Sequence, residues 1–189
     1  MKSTLTAVAL AASALATLPG CIPLALTGAG TAALMASDRR TTGMYIEDEN
    51  IELKILGSRD RFGNAHVNAT SYNRRVLLTG EAPDEATRSK VEAEVRSIAS
   101  VRDVTNELQV AGNSSLASRG SDALITSNVK ARMVNNPKFS ATHVKVVTEA
   151  GTVYLLGLVT PEEGDAAVDI ARTTSGVVRV VKVFEYIGK

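Results

Sequence analysis

The apolar positions of the C-terminal half change period along the chain, and each change marks an element. Ile125, Val129 and Met133 recur at i, i+4 and i+8, the stripe of a helix, with Asp122 as its expected N-cap. Asn135-Asn136-Pro137 stops it. Val144, Val146 and Thr148 then alternate as a strand, Glu149-Ala150-Gly151 turns, and Val153, Leu155 and Gly157 return as its antiparallel partner. Thr160-Pro161-Glu162-Glu163 opens a second helix, with a capping threonine, proline in the first turn and acids at the positive helix end. Ala167, Ile170 and Ala171 face inward on it until Gly176 ends it. A last strand runs from Val178 to Ile187, so the order is α-β-β-α-β with a right-handed final crossover.

The same pattern occurs earlier. Val76-Leu77-Leu78-Thr79-Gly80 answers Val153-Tyr154-Leu155-Leu156-Gly157 at a spacing of 77, which also pairs His66-Val67 with His143-Val144 and Val101-Arg102 with Val178-Arg179. Two copies of one unit are therefore present. The first covers Asp48–Val110, with a less regular opening helix. Its domain is expected over 45–111, and the second over 121–189. Residues 112–120, rich in Gly, Ser and Asn, read as a linker. The ten residues from Ala111 to Gly120, if flexible, span about 17 Å, so the units can also dock. The fold class is α+β: two tandem αββαβ domains, each a three-stranded mixed sheet packed on two helices. At this size each buries only about 60% of its chain surface, which predicts modest stability alone.

The N-terminus has a different character. Lys2 and the apolar run Leu5–Ala16 have the form of a secretory signal. Leu18-Pro19-Gly20-Cys21 resembles a lipobox and contains the single cysteine of the chain. The likeness implies a signal peptide over 1–20 and, on Cys21, an S-diacylglycerol and an N-acyl chain. Residues 21–44 form a lipidated tether. One acyl chain binds a membrane marginally, at about 0.8 kcal/mol per methylene, and two or more bind it stably. The competing reading, one transmembrane helix over 5–36, is opposed by Pro19-Gly20 and Pro23. Ile22 after the cysteine resembles outer-membrane sorting rather than inner-membrane retention.

Composition narrows the function. Removing 1–20 takes away one lysine and leaves acids and bases equal in number. With aromatics at 4% and no Trp, no basic or stacking footprint for nucleic acid is present. The balance is uneven, however: residues 45–111 carry 12 acids and 9 bases, and residues 119–189 carry 7 acids and 9 bases. The second unit alone suits an anionic surface. No catalytic constellation emerges. His66 and His143 are equivalent in the repeat and lack partners at metal-ligand spacing. Gly28-Ala29-Gly30-Thr31-Ala32-Ala33 follows no strand and reads as tether. No metal and no noncovalent cofactor are expected.

Val-x-Leu-x-Gly ahead of a Pro-Glu helix start, closing on Gly-Val-x-x-Val, resembles the BON domain of bacterial envelope proteins. Val153–Gly157, Pro161-Glu162 and Gly176–Val181 carry the likeness in the second copy, Val76–Gly80 and Val101–Val104 in the first. Two copies behind a lipobox look like the dual-BON outer-membrane lipoproteins. That resemblance implies a lipid anchor on the periplasmic face of the outer membrane and a role in envelope integrity without catalysis. It also implies binding of anionic phospholipid, phosphatidylglycerol or cardiolipin, by the second domain. The alternative is an adaptor for outer-membrane assembly or division proteins. In lipid binders of the family the position of Leu124 carries a membrane-inserting side chain, a tryptophan in its best-known form. With Ile125/Val129/Met133 inward, Leu124 points about 140° from the stripe, with Ser127, Asn128 and Ala131 around it and Lys130 on the same helix. A surface leucine, or one packed on the first domain, is the plain alternative.

Overall fold

The computed structural model describes residues 38–112 and 116–188. The expected signal peptide, Cys21 and most of the tether lie outside these residues. The first repeat runs α1 (Thr42–Gly57), β1 (His66–Tyr72), β2 (Arg75–Ala82), α2 (Glu85–Arg96), β3 (Asp103–Asn106) and β4 (Gln109–Val110). The second runs α3 (Leu116–Val134), β5 (Val144–Glu149), β6 (Thr152–Val159), α4 (Pro161–Arg172) and β7 (Arg179–Tyr186). In each, the central strand pairs antiparallel with its predecessor and parallel with the strand after the crossover helix. The last strand of the first repeat is broken at Glu107-Leu108, and β3 and β4 both pair with β2.

Local chemistry accounts for the helix ends. Thr41 accepts from Met44 N, Asp84 accepts from Thr87 N, and Thr160 with Glu163 completes a reciprocal capping box. Two expectations at the helices change. Residues 116–120 are helical rather than irregular linker, since α3 already begins at Leu116. Asp122 is consequently not an N-cap: it sits within α3, buried, and its carboxylate accepts from Ala150 N at 2.9 Å and Gly151 N at 2.8 Å. Asp48, equally placed in α1, accepts from Asn73 N at 2.8 Å, Arg74 N at 2.7 Å and the Ser71 hydroxyl at 2.7 Å. Both hairpins turn through two residues of positive φ, Asn73-Arg74 and Ala150-Gly151, and the aspartates bind the amide groups that such a turn leaves free. Helix α4 ends at Arg172, so Gly176, expected as its terminator, falls in the following loop against Ile125.

The central strands are apolar on both faces, and each face has its own partner. Val76 and Leu78 enter a core with Ile51, Ile55, Val91 and Val95; Val153 and Leu155 enter one with Ile125, Val129, Met133 and Ile170. The opposite faces meet each other. Tyr72 and Leu77 of the first sheet pack on Tyr154, Leu156 and Val183 of the second. The helices therefore lie outside a sheet-on-sheet seam. Polar contacts rim it: Arg75 donates to Phe184 O at 3.2 Å, Asn73 to Glu185 at 2.8 Å, Lys145 to Glu52 at 3.0 Å, and Arg179 to Glu107 at 3.3 Å.

The residues just before α1 tie the two repeats together. Arg39 grips Glu163 with both guanidinium ends, at 2.6 and 2.8 Å, and donates to Leu158 O at 2.8 Å. Arg40 pairs with Asp38 and Asp48 and stacks on the Tyr45 and Tyr72 rings, 4.9 and 4.0 Å from their centroids. Burial pushes the Glu163 carboxyl up, but the Arg39 hydrogen bonds, the Thr160 amide and nearby charge more than offset it and hold it below the ordinary 4.5. A carboxyl lowered in the folded state stabilises above its unfolded value, and that contribution vanishes as pH falls through the folded one. Arg39→Gln should therefore flatten the acid limb of the stability curve below pH ~4.5, as followed by chemical denaturation across pH.

Candidate functional site

Helix α3 presents two distinct surfaces beyond its buried stripe. Ile125, Val129 and Met133 are at most 8% exposed, as the spacing predicts. Leu124 is 68% exposed, with Ser127, Asn128 and Ala131 open around it. Ser127 turns its hydroxyl back onto Ala123 O at 3.0 Å, which leaves the leucine as the protruding group of this face. Leu124 is thus not packed on the first domain.

Lys130 belongs to the other surface. It lies on the flank that lines a cleft with Arg40, Tyr45 and Tyr72, not beside Leu124. Although Lys130 is exposed overall, desolvation at the cleft, followed by the charge of Lys145, holds its ammonium below the ordinary lysine range. Of the five residues assigned to a contact surface, four share a face and Lys130 does not.

The end of the second domain nearest Leu124 holds a further apolar group that periodicity misses. Val178, assigned to the last strand, precedes β7 and is 83% exposed. Its amide donates to Gly151 O at 2.9 Å, and Gly151 is in turn held by Asp122, two residues before Leu124. The neighbouring Gly176 sits against Ile125, next to Leu124 in the helix. The only available signal was the Gly-Val-Val-Arg run, in which one valine faces the core while the next cannot.

Arg132 braces the helix from its other side, donating to Ile170 O at 2.8 Å and to the Thr174 and Thr173 hydroxyls at 2.6 and 2.9 Å. It therefore serves the fold rather than an anion. His66 Nδ1 lies 3.0 Å from Glu81 across the β1–β2 ladder, whereas His143 Nδ1, 3.6 Å from Glu163 of α4, is buried without a hydrogen bond. Among the described residues no three metal-ligating side chains converge.

Comparison with known proteins agrees with this architecture. The BON domain model matches residues 48–112 and again 121–188. The chain is 40% identical over 174 residues to the outer membrane lipoprotein DolP of Haemophilus influenzae, covering 90% of each chain. It is 30% identical over 154 residues to a 21 kDa hemolysin of Actinobacillus pleuropneumoniae, covering 79% of each. Osmotically-inducible protein Y of Escherichia coli is 26% identical over 147 residues, covering 75% of this chain and 73% of that protein.

Proposed function

Because the chain belongs to the BON-domain family and carries two of its domains, we propose that it is an outer-membrane lipoprotein that sustains envelope integrity from the periplasmic face. Cys21 carries the acyl chains, and the second domain lays the outward face of α3 on anionic phospholipid, phosphatidylglycerol or cardiolipin. The role is one of binding, without catalysis. The observation that carries this reading is Leu124, a large apolar side chain 68% exposed among Ser127, Asn128 and Ala131. Val178 extends the apolar contact at the same end. The likeness to a named outer membrane lipoprotein over 90% of both chains supports the location. Anchoring raises the local lipid concentration, so a weak headgroup contact is sufficient. Leucine inserts without the interfacial preference of an indole, which keeps that contact reversible.

Vesicle titration tests the reading. The processed chain carrying Cys21→Ser should associate with phosphatidylglycerol or cardiolipin vesicles, less so as salt rises. Leu124→Glu should weaken that association about tenfold or more, since it replaces the apolar group that enters the membrane by a charge at its surface. Equal association of both proteins with neutral and anionic vesicles would refute the lipid face. In the cell, absence of labelled palmitate from the wild type would refute the anchor.

A second reading has its own observation. Ile46, Leu53 and Leu56 on α1 are each more than half exposed, an apolar stripe on the first domain. It suits an adaptor that docks outer-membrane assembly or division proteins, and vesicle binding unaffected by Leu124→Glu would favour it.

A further inference from the structure

Between the two domains, away from the Leu124 face, lies a cleft of about 340 Å³. That is at the small end of the roughly 300–1,000 Å³ typical of small-molecule sites. Its apolar wall comes from both repeats: the rings of Tyr45 and Tyr72 from one side, Met133 and Val134 from the other. Val134 is 71% exposed at the end of α3, an apolar side chain left open where the helix meets the cleft. Tyr45 and Tyr72 are held in place by Arg40, whose guanidinium lies over both rings. The site exists only because the domains are docked and the 38–40 segment is strapped across them.

The charges on the wall are unequally satisfied. Arg40 is neutralised by Asp38 and Asp48, and Lys145 by Glu52 at 3.0 Å. Lys130 has no ion pair and no side-chain hydrogen bond among the described residues, and the charge of Lys145, another ammonium, adds to the desolvation that lowers it. Glu49 also lines the cleft and forms no ion pair with either lysine among the described residues. A partly desolvated ammonium beside a second cation, at the end of an apolar trough, lacks a counter-anion joined to a hydrocarbon chain.

We propose that this interdomain cleft binds a single-chain anionic amphiphile, with its hydrocarbon chain along Tyr45, Tyr72, Met133 and Val134 and its carboxylate or phosphate on Lys130. The ligand is a released fatty acid or a phosphate-bearing single-chain lipid, taken as a monomer. The site is separate from the bilayer-facing surface of the same helix and does not depend on it. Its position behind a lipid anchor would place it where such products of acyl-ester cleavage appear.

The probes are decanoate, decyl phosphate and decyltrimethylammonium, each below its micelle-forming concentration. They are titrated into the processed Cys21→Ser chain while the Met133 methyl and the Tyr45 and Tyr72 ring signals are followed by NMR. The two anions should saturate these signals at one equivalent, and the cation should not. Tighter binding of decanoate would identify the carboxylate source, tighter binding of decyl phosphate the phosphate source. Lys130→Gln should weaken the anions about tenfold, on the scale of one charge-assisted hydrogen bond. Val134→Asp, at an exposed position that leaves the fold intact, should weaken them at least as much. Leu124→Glu should leave the amphiphile titration unchanged while it lowers vesicle association, so the two proposals fail separately. Equal binding of the cation, or no saturable shift at the cleft signals in the folded wild type, would overturn the cleft proposal.

Discussion

Gly80→Val should prevent stable folding of the first repeat. A Cβ at this position would stand 2.1 Å from the carbonyl oxygen of His66, a backbone atom that cannot move without breaking the β1–β2 ladder. The φ of 111° is itself closed to a β-branched residue. Gly80 faces Val67 across the ladder, so any shift also disturbs the core above it. A loss of about 4 kcal/mol or more is expected, comparable with the whole stability of many small domains. Gly157 is the equivalent position, its Cβ 2.4 Å from His143 O, but without a positive φ. Gly157→Ala should therefore cost less than Gly80→Ala. Urea denaturation, with β-sheet circular dichroism as the signal, ranks them; a Gly80→Val protein that unfolds at the wild-type midpoint would contradict the clash.

The second large effect concerns the turn aspartates. Asp48→Ala strips two turn amides and the Ser71 hydroxyl of their acceptor and leaves Arg40, its side chain 6% exposed, with Asp38 alone. Removing one partner of a buried ion pair costs about 3–5 kcal/mol. Asp122→Ala removes only the acceptor of Ala150 N and Gly151 N, at about 1–3 kcal/mol. The two substitutions are chemically identical and sit in equivalent repeats, so their difference reports the Arg40 network together with the Ser71 hydroxyl. Equal losses in thermal unfolding would show that neither of these additional contacts of Asp48 contributes. Asp48→Asn, which keeps an acceptor but loses the charge, should fall between wild type and Asp48→Ala.

Much of this architecture is readable from residue patterns, for reasons specific to each element. The strands of the second repeat are legible because Val144 and Val146 alternate, and because Val153–Gly157 is apolar throughout. Helix α4 is legible because its cap, proline and acids coincide at one end. The role of Asp122 is not, since an aspartate ahead of an apolar stripe has the same local signature whether it caps a helix or reaches across to a hairpin. The beginning of α3 is hidden for a related reason. Gly120 and its serine neighbours are poor helix formers in isolation, and the start at Leu116 lies among residues whose composition suits a linker.

Of the candidate surface, Leu124 is legible from helical geometry alone, because its angle from a buried stripe is fixed. The cleft is not. Arg40, Tyr45, Tyr72, Lys130 and Lys145 come from five separate elements or segments, and only the docking of the repeats brings them together. The docking itself leaves one trace, the uninterrupted Val-Leu-Leu and Val-Tyr-Leu-Leu runs. A sheet covered by helices on one side and water on the other would alternate instead.

Those doubly covered strands mean that the halves are mates rather than beads on a string. Cut apart, each would offer water a greasy panel, Tyr72 with Leu77 on one fragment and Tyr154 with Leu156 on the other. Nothing in that panel distinguishes a neighbour along the same polypeptide from the corresponding half of another molecule. Gene duplication in this chain therefore produced an internal dimer, whose covalent connection chiefly ensures that each half meets its own sibling before a stranger's.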